Sequence, residues 1–133
     1  MRFILALARV AMGLWAGAVM AVAFAVAPRV FGFLDDQARA GELMRPIFRK
    51  VDLFGIGVAL LFALVARRSR WRFVIALLLA AAAAANAFVL APRIPGGSPT
   101  LHRLSEVLWG LILVWSLVLS LVGPPAHRPS VIE

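Results

Sequence analysis

The chain has 133 residues, 63% of them hydrophobic and 15% charged, with a formal charge of +8 and neither Cys nor Tyr. A soluble domain is about 25% charged and must leave much of its surface in water when it is this small, so a soluble monomer is excluded, as is a disordered chain. Without cysteine there is no disulfide, thiolate nucleophile, Cys-ligated metal or CxxC pair, which removes the quinone-linked thiol oxidoreductases.

Four apolar spans follow one another: residues 10–27, 53–66, 73–91 and 107–122. A helix needs about 20 residues to cross the hydrocarbon core. The first and third spans nearly suffice alone, and upstream helix signals lengthen the others. Ser98-Pro99 reads as an N-cap followed by Pro in the first turn. Pro28 is expected to close span one, Pro92 span three, and Pro124-Pro125 span four. The runs do not alternate as barrel strands would, and backbone groups in lipid must be satisfied internally. The expected fold is all-α: one integral membrane four-helix bundle with helices near 3–27, 42–66, 70–91 and 99–122, and a short tail at 123–133. Reading residues 1–27 as a secretory leader is set aside, because the apolar run is long, Arg9 interrupts it and Pro28 follows Ala27.

Span two has an amphipathic approach. Arg39, Glu42, Arg45, Arg49 and Asp52 recur at steps of three or four, with Leu43, Met44, Ile47, Phe48, Val51, Phe54 and Gly55 opposite. Such a segment lies at the membrane surface before the chain dives, its charges solvated. Pro46 predicts a kink or short break within it.

Orientation follows from Arg67, Arg68, Arg70 and Arg72, four cations without an acid in six residues, which place that loop and both termini in the cytoplasm of a bacterial inner membrane. The total of Lys and Arg does not discriminate, since each side carries seven. These arginines suit anionic lipid headgroups. Nucleic acid is not an expected partner, since no basic helix, zinc module or aromatic-interleaved groove accompanies the charge.

Few residues have chemical potential. His102, Ser105, Glu106, Trp109, Ser116 and Ser120 share a sector of about 100° on the last helix, a stripe that should face other helices. His102 and Glu106, one turn apart, read as a structural pair holding that helix; a metal or proton site is the alternative, with Asp52 the obvious third ligand, short of the usual zinc set. His127 lies beyond two prolines, so the chain alone does not hold a bis-histidine haem, and no cofactor is expected. Asn86 should bond across the bundle, to a carbonyl or a serine of the last helix, because an unpaired amide there is costly. Arg9 reads as an interfacial anchor. Small residues recur every four positions at Gly13, Gly17, Ala21 and Ala25, at Gly55, Ala59 and Ala63, and at Ala76, Ala80 and Ala84, and permit close helix packing within the bundle or between copies. Ser-His-Asp, HExxH, P-loop and GxGxxG patterns are absent.

Taken in order, four features resemble the membrane family called domain of unknown function 4149, with its eukaryotic relative transmembrane protein 205. They are the small-residue first helix leaving through Ala27-Pro28 to Phe31, the Gly41, Phe48, Gly55 approach, Asn86 with Ala91-Pro92-Arg93-Ile94, and Leu101-His102-Arg103-Leu104-Ser105. The family often has Asn where Trp109 stands, and a longer third loop. The resemblance implies a four-helix membrane protein with no established reaction. The expected function is that of a non-catalytic accessory or scaffold subunit, assembling with itself or other membrane proteins. The alternative is a small transporter or metal- or proton-handling protein using the polar face of the last helix.

Overall fold

The computed structural model describes residues 2–93 and 99–122. Ser98 and the tail with His127 lie outside the described residues. Among the described residues every regular element is helical: α1 (Arg2–Ala21), a π turn (Val22–Val26), α2 (Ala27–Phe33), α3 (Gln37–Ala66), α4 (Arg70–Ala85), a second π turn (Asn86–Leu90) and α5 (Pro99–Leu121). Three helical runs, Phe3–Phe33, Arg70–Leu90 and Pro99–Leu121, are long and apolar enough to cross a membrane. α3 is charged over its first half, and its uncharged stretch, residues 53–66, is about 21 Å long.

Short connections make the helices antiparallel neighbours. α1 packs on α3 and α5, and α4 closes the square against the same two. Asp36 starts α3, its carboxylate accepting from the backbone N–H groups of Ala38 and Arg39 at 3.0 and 3.4 Å. The helix therefore begins five residues before the expected boundary at 42. At the other end of the bundle, Arg9 of α1 donates to the carbonyls of Ser120 and Leu121 at 2.9 and 3.1 Å. Its guanidinium thus caps the last turn of α5 as well as sitting near a helix end.

The interior is lined by small and medium side chains, among them Ala59, Ala63, Ala76, Ala80 and Ala83, around Met12, Trp15, Phe62 and Ile112. The outside carries Phe24, Leu64 and Leu78, each more than 60% exposed. An outer surface this apolar has hydrocarbon as its solvent.

Several sequence expectations change. Pro28 does not end the first helix: the chain widens into the π turn, where the Ala27 N–H bonds to the Val22 carbonyl, and Pro28 then falls in the first turn of α2. Pro46 does not break α3, which runs through it for 30 residues. The carbonyl it leaves without an amide partner belongs to Glu42, an exposed residue that water can reach. In span one the stripe Gly17, Ala21, Ala25 faces outward, and the buried line is Ala8, Met12, Trp15, Ala16, Val19 and Val22. Gly13, at the edge, faces Ser120: a Cβ added there would lie 3.7 Å from the serine Cβ. Arg72 is buried rather than open to headgroups, its guanidinium 5.3 Å from the Trp71 ring centroid, whereas Arg67, Arg68 and Arg70 are exposed.

Candidate functional site

Among the described residues one carboxyl group sits inside the bundle. Asp52 of α3 is fully buried, on the line Ala40, Met44, Phe48, Asp52, Gly55, Ala59 that turns inward at steps of three or four. Across from it, Asn86 closes α4 and opens the second π turn, its carbonyl accepting from the Ala91 N–H at 2.9 Å. The Asn86 side-chain amide donates to Asp52 Oδ2 at 2.6 Å. From α5, Trp109 Nε1 donates to Asp52 Oδ1 at 3.0 Å. Ser105, one turn before Trp109 and only partly buried, donates its hydroxyl hydrogen to Asn86 Oδ1. A carboxylate only accepts, so Nδ2 faces Asp52 and Oδ1 is left for the serine hydroxyl, which can serve as donor.

Packing holds the donors in place. Phe48 meets Trp109 edge to face at 4.8 Å between centroids. Trp15 lies directly on Gly55, one turn along α3 from Asp52, so closely that a Cβ there would sit 2.0 Å from the indole. This is the position where only glycine admits the partner helix. Trp15 is fully buried, and its Nε1 has no hydrogen-bond partner among the described residues. Each carboxyl oxygen of Asp52 thus meets one neutral donor, and α3, α4 and α5 converge on a single buried acid.

Of the stripe read from the sequence, the structure brings Ser105 to Asn86 and Trp109 to Asp52. His102 and Glu106 stay outside. Their side chains pair at 3.1 Å (Nε2 to Oε1) but are 58% and 65% exposed, and both belong to α5, so the pair does not hold α5 against a neighbour as expected. Nor do they converge with Asp52: among the described residues no three His, Cys, Asp or Glu side chains form a metal-holding group. Spacing alone puts Asp52 among the solvated charges of the approach, whereas the structure buries it. The signal for its burial was its register with Met44, Gly55 and Ala59.

The family model described as Domain of unknown function (DUF4149) matches residues 10–96, well over half of the chain. The chain belongs to this family. No curated protein and no solved structure matches it. In this DUF4149 protein the matched stretch takes in Asp52 and Asn86, whereas Ser105 and Trp109 lie beyond it on α5.

Proposed function

We propose that this small membrane protein handles protons, with Asp52 as the group that takes up and releases them. The fully buried carboxylate, tied across three helices by neutral donors only, carries the reading. An ionisable residue inside a membrane bundle is costly to keep and marks a functional position by default. A proton is the counter-charge that fits this site, since it needs no further ligand, and one carboxylate is too few for a divalent metal. Ser105 and Asn86 extend the hydrogen-bonded chain from Asp52 towards the partly exposed side of α5, where the His102–Glu106 pair lies one turn away. No nucleophile or covalent chemistry is involved.

The test is the full chain in liposomes with an entrapped pH-sensitive dye. A pH step across the membrane should equilibrate faster than in empty vesicles, and Asp52→Asn should abolish the excess rate while the protein stays helical. A rate equal to that of empty vesicles, or one unchanged in Asp52→Asn, overturns the proposal.

A second reading, as an accessory or scaffold subunit assembling with itself or another membrane protein, is favoured by the outward stripe Gly17, Ala21 and Ala25, which is suited to close helix approach. Gly17→Leu should then lower the native mass of the detergent-solubilised protein. The four-arginine turn supports termini on the cytoplasmic side. Ser69→Cys should be labelled from that side only and Asp35→Cys from the opposite side only.

A further inference from the structure

We propose that the groove between the start of α1 and the α3–α4 turn binds one anionic phospholipid. The groove encloses about 220 Å³ and is lined by Ile4, Leu64, Val65, Arg67 and Arg68. Its chemistry is divided. Ile4 and Leu64 offer exposed apolar side chains, 50% and 67% accessible, on the lipid-facing surface of the bundle. Arg67 and Arg68, both exposed, follow immediately where α3 ends, at the membrane-surface end of the same groove. An acyl chain fits the first part and a phosphate the second, guanidinium groups being suited to bidentate phosphate binding.

Charge selects the occupant. Neither α1 nor α4 contains an acidic residue, and the nearest acids along α3 and α5 are Asp52 and Glu106, each more than about 20 Å from its helix end at this side of the bundle. Among the described residues neither Arg67 nor Arg68 makes an ion pair. A zwitterionic headgroup would add its own cation to this field, whereas an anionic one supplies the missing negative charge. The turn is held ready: the Ser69 N–H bonds to the Ala66 carbonyl at 2.8 Å, and the Phe73 N–H to the Ser69 carbonyl at 3.0 Å. The site is separate from Asp52 and does not depend on the proton reading.

The experiment uses the full chain in mild detergent, titrated with phosphatidylglycerol, phosphatidylcholine or inorganic phosphate, and read by native mass spectrometry and thermal unfolding. One phosphatidylglycerol should be retained per chain and should raise the melting temperature more than phosphatidylcholine does. Arg67→Gln with Arg68→Gln should weaken phosphatidylglycerol binding at least tenfold. Leu64→Trp, which fills the apolar part and leaves the arginines intact, should weaken it as well, and Arg70→Gln, outside the groove, should leave it unchanged. Equal responses to the two lipids, or undiminished binding in the double variant, overturn the proposal. Stabilisation by inorganic phosphate alone overturns the acyl part of the site and so the lipid as occupant. A loss in Arg70→Gln as large as in the double variant also overturns it, by showing diffuse attraction to the turn instead of a groove.

Discussion

Trp15 and Trp109 provide a matched pair for weighing the bond to Asp52. Replacing either by Phe removes the same atoms, but only Trp109 loses a hydrogen bond, from Nε1 to Asp52 Oδ1 at 3.0 Å. Trp15 is fully buried and Trp109 is 8% exposed, so the cavity left by the substitution is at least as costly at position 15. The bond then decides the difference. A hydrogen bond to a charged group contributes about 1.5–3 kcal/mol, and removing the unpaired Trp15 donor relieves a desolvation penalty of about 1–3 kcal/mol. Trp109→Phe should therefore destabilise the bundle by at least about 2 kcal/mol more than Trp15→Phe. The measurement is equilibrium unfolding in mixed micelles of increasing denaturing detergent, followed by circular dichroism. A Trp15→Phe variant as damaged as Trp109→Phe, or more so, would refute the assignment of the bond as a principal tie between α3 and α5.

Gly55→Ala forces a Cβ to within 2.0 Å of a buried indole and should cost about 3 kcal/mol or more, whereas Gly57→Ala, with nothing within 4 Å, should be neutral or gain up to about 1 kcal/mol from helix propensity; thermal unfolding of both variants in detergent checks the contrast. Arg9→Gln removes the contacts to the Ser120 and Leu121 carbonyls and should cost about 1 kcal/mol, with faster amide exchange confined to the last turn of α5. His102→Leu and His102→Gln should each change stability by less than about 0.5 kcal/mol, because an exposed pair one turn apart is screened by water. A loss of 2 kcal/mol or more at His102 would place that side chain inside the bundle.

The sequence makes the four helices legible because an uncharged run of sufficient length has few fates other than a membrane span, and that inference needs no side-chain detail. The polar face of α5 is half legible for the same reason. Ser105, Trp109 and Ser116 lie on the part of the sector that turns inward, whereas His102 and Glu106 lie towards its outer side and are exposed. Angular position along a single helix cannot report where a neighbouring helix ends.

Asp52 shows the opposite failure. Periodicity groups it with Arg45 and Arg49 because all three are charged and recur at helical spacing, and the rule that charges face water holds for the first half of α3. Yet the same position also continues the line Ala40, Met44, Phe48, then Gly55 and Ala59, and in a membrane bundle the inward line is marked by small residues rather than by hydrophobic ones, since lipid-facing positions are apolar too. Leu43, Ile47 and Phe54, the residues a soluble amphipathic helix would bury, are here between 37% and 56% exposed. Once the small-residue line defines the interior, Asp52 is the one acid on it, and a carboxylate in that position requires donors from other helices. Asn86 and Trp109, whose own amide and indole N–H groups each need an acceptor away from water, are placed to supply them. Burial of the acid and burial of its two donors are thus one event, completed only when α3, α4 and α5 close on each other.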